Sequence, residues 1–161
     1  MIVVETYSYF NGLEFLKIHR NDLFNELKQL VKELDAANVG TAVQSSLVPY
    51  VHRGYLSQRH HDQLEARDWH YSSSARIECF NKRRIGLKFC FDLKVGEEQS
   101  EFNDFSSRYR CDEIDVGVGL FPMERTERDI GSADFRTAVQ TLKECGRAGA
   151  VVPLALFAIS A

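Results

Sequence analysis

The sequence predicts an α/β protein, a single domain with a central mixed sheet flanked by helices. Three observations carry this reading. The chain has 161 residues, a length that fits one domain with one core. Runs of alternating apolar residues, the strand period, occur near both ends and in the middle. In the second half such runs take turns with helical patterns, as in a sheet covered by helices.

The elements follow in order. Ile2 to Tyr9 alternates and is rich in β-branched and aromatic residues, so it reads as a strand. Asn11-Gly12 marks a turn. Leu13 to His19 fits either a second strand or a short helix. From Asp22 to Ala36 the pattern is helical, with Asn21 as N-cap. Leu23, Leu27, Leu30, Val31 and Leu34 form its apolar stripe, Phe24 widens it, and Asn25, Lys28, Gln29 and Lys32 fall opposite. Ala37 to Pro49 reads as a loop, Tyr55 to Trp69 as a helix, and His70 to Ala75, with its three consecutive serines, as another loop.

The longest alternation runs from Ile85 to Val95. Ile85, Leu87, Phe89, Phe91, Leu93 and Val95 share one face; Gly86, Lys88, Cys90, Asp92 and Lys94 share the polar one. Glu101 to Arg110 is expected to be a polar helix, and Ile114 to Leu120 a strand that stops at Pro122. A helix is expected from Ser132 to Glu144, with Ser132 as cap and Cys145-Gly146 as stop. Val151 to Ser160 closes the pattern as a buried strand. No repeat, low-complexity tract or linker divides the chain, so residues 1–161 are read as one domain.

Hydrophobic residues make up 44% and charged residues 27%, ordinary values for a globular protein. The formal charge of −3 is unevenly spread. Residues 51–95 carry nine Lys/Arg against five Asp/Glu, while the rest carries 11 against 18. Such a segment either attracts an anionic polymer or forms a solvated basic face. Cys79, Cys90, Cys111 and Cys145 are far apart and form no CxxC, which fits reduced, buried thiols in a cytosolic protein. His60, His61, His70 and Cys79 match no zinc-ligand spacing, so no metal is assigned to them. There is no signal peptide, and the longest apolar run, Ala148 to Ala161, is too short to span a bilayer and contains Pro153. A cytoplasmic protein without membrane contact is expected.

Four stretches resemble a known family. The opening Ile2-Val3-Val4-Glu5-Thr6-Tyr7-Ser8-Tyr9-Phe10-Asn11-Gly12-Leu13-Glu14 is similar to the start of the BglII/BstYI-type restriction endonucleases. Leu64-Glu65-Ala66-Arg67-Asp68-Trp69 resembles a helix end in the same family. Glu113-Ile114-Asp115-Val116-Gly117-Val118-Gly119-Leu120-Phe121-Pro122-Met123 is the most specific match. Pro153-Leu154-Ala155-Leu156-Phe157-Ala158-Ile159 resembles the closing strand.

The resemblance implies the restriction-endonuclease-like fold, of the PD-(D/E)xK type, in a homodimer around double-stranded DNA. It implies Mg²⁺ held by an Asp and a Glu, with a Gln or Lys two residues after the Glu to position water. Matched backwards from Ile114-Asp115 without gaps, Lys88 falls in the Glu slot, Cys90 in the Gln/Lys slot and Cys79 in the Asp slot. An ammonium cannot ligate Mg²⁺, and a thiol is a soft, poor ligand for it. In this register the metal site is lost, and the expected cofactor is none. The chain is also shorter than the family around Ala37 to Val51 and His70 to Arg76, regions that help those enzymes read or wrap DNA.

Another register restores a motif. Asp92-Leu93-Lys94 is a D-x-K triplet, and Glu78 lies upstream as a second carboxylate. These three are the catalytic residues if the chain is an active Mg²⁺-dependent endonuclease; otherwise Asp92 and Lys94 pair on a solvated strand face. Lys82, Arg83 and Arg84 are the DNA-binding candidates, with an exposed turn as the plainer reading. Trp69 and Tyr71 either stack on a base or pack in the core. His61 and Glu65, four apart, read as a surface pair.

The expected function is therefore a degenerate, non-catalytic relative, a pseudo-nuclease acting as a DNA-associated or partner-binding subunit in prokaryotic defence. It would be a homodimer or a heteromer with a related subunit. An active endonuclease and a protein-interaction module without DNA are the alternatives.

Overall fold

The computed structural model describes residues 2–33, 58–74, 77–91, 93–123, 133–145 and 150–160. Six strands form one mixed sheet in the order β1-β6-β5-β4-β3-β2. They are β1 (Ile2–Tyr9), β2 (His70–Ser74), β3 (Ile77–Lys82), β4 (Ile85–Phe89), β5 (Val116–Pro122) and β6 (Leu154–Ser160). The three central strands run parallel, and β1 at one rim and β3 and β2 at the other are antiparallel to their neighbours.

Five helices lie among the described residues: α1 (Gly12–His19), α2 (Asn21–Glu33), α3 (Gln58–Glu65), α4 (Glu98–Arg110) and α5 (Phe135–Cys145). They cover both faces of the sheet. On one, Leu16, Leu23, Leu27 and Leu64 of α1–α3 meet Ile85, Leu87, Val116, Val118 and Phe157. On the other, Phe102 and Phe105 of α4 and Phe135, Ala138 and Leu142 of α5 meet Leu154, Leu156 and Ala158. Central parallel strands buried on both sides are the expected outcome of covering a sheet twice.

Local chemistry sets the element ends. Leu13 to His19, open in the sequence, is helical: the Ser8 hydroxyl accepts from the Leu13 N–H at 3.2 Å and so caps the first turn of α1. Ser132, the expected cap of α5, lies outside the described residues, and the first turn of α5 is held by Asp134 and Thr137. The Asp134 carboxylate accepts from the Thr137 N–H and the Thr137 hydroxyl from the Asp134 N–H, both at 2.8 Å. This is a reciprocal capping box with Thr at the third position.

Three expectations are corrected. His70 to Ser74 is a strand, because pairing with β3 from His70↔Asn81 to Ser74↔Ile77 outweighs the turn preference of its serines. Its partner β3 went unread in the sequence. The α3 helix stops at Glu65, and Asp68 turns the chain with φ 61, so Trp69 stands outside it. The strand from Ile85 ends at Phe89 rather than Val95. Its supposedly polar face is not solvated either: all five residues of β4 are buried. The loop expected at Ala37 to Pro49 lies outside the described residues.

Gly12 shows how closely α1 approaches the sheet. A Cβ built there would stand 2.4 Å from the backbone carbonyl carbon of Leu154 in β6. Backbone cannot yield as a side-chain tip can. Gly12→Ala is therefore expected to destabilise the protein by about 1–3 kcal/mol or more. Urea unfolding monitored by circular dichroism measures this, and an unchanged midpoint would show that β6 shifts freely.

Candidate functional site

The glycines of β5 decide where α4 lies. Gly117 faces α4, and a Cβ there would fall 2.6 Å from the Leu154 side chain and 2.7 Å from the Phe105 ring. With no side chain in the way, Phe105 beds directly on the sheet. That close docking brings the charged residues of α4 down onto β4.

Lys88 projects from β4 into this contact and is 2% exposed. Its Nζ lies 2.8 Å from the Glu101 carboxylate and 2.7 Å from that of Asp104, and 5.0 Å from the centre of the Phe105 ring. Asp104 also accepts from Arg108 Nε at 2.8 Å. Arg108 reaches on to Glu113 and the Ser72 hydroxyl, each at 3.2 Å. Glu101, Asp104 and Arg108 fall on one side of the helix at steps of three and four. The result is an alternating chain of charges from β4 through α4 to β2.

Burial alone would push the Asp104 carboxyl up, but the Lys88 ammonium and the Arg108 guanidinium outweigh it and hold it below its ordinary range. The Cys79 thiol, on β3, is driven the other way. Burial pushes it up to about 11 despite the nearby positive charges of Arg108 and Lys88. It is a protonated thiol at neutral pH, poor both as nucleophile and as metal ligand.

The three positions that the ungapped sequence register assigns to metal ligands present a paired ammonium at Lys88 and buried sulfurs at Cys79 and Cys90. They offer no oxygen donor and do not fit Mg²⁺. Two carboxylates do converge on one cation nearby. They are Glu101 and Asp104, and the cation between them is Lys88. Neither was singled out in the sequence; the E-x-x-D-x-x-x-R spacing of a helix read only as polar was their signal. Of the D-x-K reading, Asp92 and the Glu78 side chain lie outside the described residues, and Lys94 is exposed beyond the end of β4. Among the described residues no group of three or more His, Cys, Asp or Glu is placed to hold a metal.

The DNA-binding candidates sit on the β3–β4 hairpin, where Lys82 pairs with Ile85 across a two-residue turn. Arg83 and Arg84 hold φ 49 and 66 in that turn, the double left-handed form that usually selects Asn-Gly. All three cations are engaged. Lys82 Nζ lies 2.8 Å from Glu26 and 2.6 Å from the Arg67 carbonyl. Arg83 pairs with Asp22, and Arg84 with Asp112 at 2.7 Å and Asp115 at 2.8 Å. Glu26 also accepts from the buried Trp69 indole at 2.7 Å, which places that ring in the core. Tyr71 packs with His61 and Phe80 at centroid distances of 5.4 and 5.5 Å.

No protein-family model and no curated protein sequence matches the chain. The crystal structure of free BglII does match, with a TM-score of 0.64, 15% identity, and coverage of 98% of this chain and 79% of that one. The fold is restriction-endonuclease-like. At that identity the likeness establishes the architecture alone. Among the described residues no helix is long and apolar enough to cross a membrane.

Two expectations follow from the buried charges. Lys88→Met leaves Glu101 and Asp104 without their shared cation and should cost about 3–5 kcal/mol at neutral pH. Adding Glu101→Gln should recover part of that loss, since among the described residues Lys88 is the cation paired with Glu101 while Asp104 keeps Arg108. A double-mutant cycle by urea unfolding reads the coupling; additive losses would refute it. Asp104 is lowered in the folded state, so its contribution is full above the unfolded value of about 3.9 and is lost as pH falls through the folded one. Wild-type stability should therefore decline below about pH 4 more steeply than that of Asp104→Asn.

Thiol chemistry gives an independent check. Cys111 and Cys145 are exposed, and Cys79 and Cys90 are buried. Ellman's reagent should titrate two thiols in the native protein and four in denaturant. Four fast thiols in the native protein would contradict the placement of Cys79.

Proposed function

We propose that this chain is a catalytically degenerate restriction-endonuclease-like protein, acting as a DNA-associated or partner-binding subunit of a homodimer or of a heteromer with a related chain. The observation that carries this is the enclosure of Lys88, which is 2% exposed and held by two carboxylates; in the ungapped register with the resembling family this is the position of a metal-binding Glu. A residue so enclosed neither binds a divalent ion nor meets a phosphodiester. An oxygen ligand at this place would instead hold Mg²⁺ to make hydroxide and offset the charge of the scissile phosphate.

The reading as an interaction module without DNA draws on one observation, that Lys82, Arg83 and Arg84 all have carboxylate partners. The reading as an active endonuclease requires Glu78, Asp92 and Lys94 to meet at one ion. Incubating the purified protein with supercoiled plasmid and Mg²⁺ or Mn²⁺ separates the catalytic readings. The expected result is intact plasmid at all metal concentrations. Nicking or linearisation that Asp92→Ala abolishes would overturn the proposal in favour of the active enzyme.

A further inference from the structure

Among the described residues Arg67, Lys82, Arg83, Arg84, Lys88 and Arg108 each pair with a carboxylate. Lys17, Arg20, Lys28, Lys32, Lys94, Arg110, Arg136 and Lys143 form no ion pair with any described residue. Four of these, Lys17, Arg20, Lys28 and Lys32, are gathered on the contiguous helices α1 and α2 and their junction.

The geometry of α2 explains the division. At about 100° per residue, Asp22, Glu26 and Glu33 share one narrow stripe. Each is drawn toward the α3 and hairpin side: Asp22 by Arg83, Glu26 by Lys82 and Trp69, Glu33 by Arg67. Leu23, Leu27, Leu30 and Val31 form the buried stripe. Phe24, Lys28 and Lys32 make a third, roughly 140° from the acids. The helix spends its negative charge on the fold and leaves its positive charge facing out.

Helix α1 and the residue after it add to the same stripe. Lys17 Nζ lies 5.8 Å and Lys28 Nζ 5.4 Å from the centre of the Phe24 ring, so two like charges gather over one aromatic face. Arg20 lies 5.8 Å from the Phe15 ring, and its buried Nε has no hydrogen-bond partner. Glu14, one turn before Lys17, accepts the Ser8 hydroxyl. Lys28 and Lys32 have no carboxylate partner among the described residues, and they follow each other on α2 by four residues, about 6 Å along the axis. A rigid row of positive charge complements a rigid row of negative charge.

We propose that the α1–α2 face bearing Lys17, Arg20, Lys28 and Lys32 is where this protein binds the phosphate backbone of duplex DNA. This surface rests on the DNA-associated reading above and moves the contact away from the β3–β4 hairpin. Phosphate contacts of this kind position a protein without reading sequence.

The test is fluorescence anisotropy with a labelled duplex of mixed sequence over a series of KCl concentrations. Each neutralised phosphate contact contributes about −0.9 to the slope of log K against log salt. The triple variant Lys17→Gln, Lys28→Gln, Lys32→Gln should flatten the slope by roughly 2.7 and weaken binding at least tenfold, on the order of 1.4 kcal/mol. All three side chains are exposed, and an unchanged thermal melt verifies folding. Arg110→Gln with Arg136→Gln, exposed cations on α4 and α5, should leave slope and affinity unchanged. A wild-type slope in the triple variant overturns the proposal. If binding is then lost in Arg83→Gln with Arg84→Gln, DNA association survives and only the surface is wrong. No binding by the wild type at low salt overturns both this surface and the DNA-associated reading.

Discussion

A buried ammonium between two carboxylates organises one side of this molecule. Lys88 is fixed by the sheet, Glu101 and Asp104 by α4, and the ammonium has no water to fall back on. A buried ion pair of this kind contributes little net stability compared with an apolar contact of the same shape, yet losing one member is costly. Its effect is therefore one of position. The α4 helix settles on β4 in the rotation and register that keep both carboxylates over the ammonium. Phe105 lying on Gly117 supplies the close approach this needs. Apolar packing brings the layers together, and the charges choose among the arrangements that packing allows.

The opposite layer is held by charge as well, in a different manner. Three carboxylates of α2 each grip an element distant in sequence: the two arginines and lysine of α3's end and the hairpin. The hairpin turn needs the help, since Arg83 and Arg84 occupy left-handed backbone that suits glycine or asparagine better. Among the described residues of the basic segment, Arg67, Lys82, Arg83, Arg84 and Lys88 are thus spent in pairs within the molecule. Electrostatic reading by sequence window counts charges; the fold decides which of them remain available.

The α/β class was legible from the sequence because strand alternation and helical stripes report burial directly, while the restriction-endonuclease-like architecture was an implication of the four stretches that resemble that family. Strands β1, β5 and β6 and helix α2 appear close to where the pattern places them. The pattern failed where burial and polarity part company. A row of Gly86, Lys88 and Cys90 reads as a wet face, yet it lies under α4, because glycine and a paired lysine can be buried without being apolar. β2 and β3 were missed because Ser72 and Asn81 take their strand state from a neighbour across the sheet, not from their own preference. Lys88 was noticed, but only as an amine in place of an oxygen. Its partners Glu101 and Asp104 lie thirteen and sixteen residues on, and nothing local links a strand residue to a helix that later folds over it.

The strand order has a bearing on how the molecule assembles. β6, near the C-terminal end of the described chain, sits between β1 and β5, with Ile2 opposite Ser160. β1 therefore has no partner in the sheet until β6, far along the chain, is in place. Until then β5 offers an open apolar margin of Val118, Leu120 and Phe121 to whatever is near. Pairing across such sequence distance is slow to form, and a nascent chain held in this state is exposed to aggregation. Weakening β6 would do more than loosen one strand: it would leave β1 adrift from the other four.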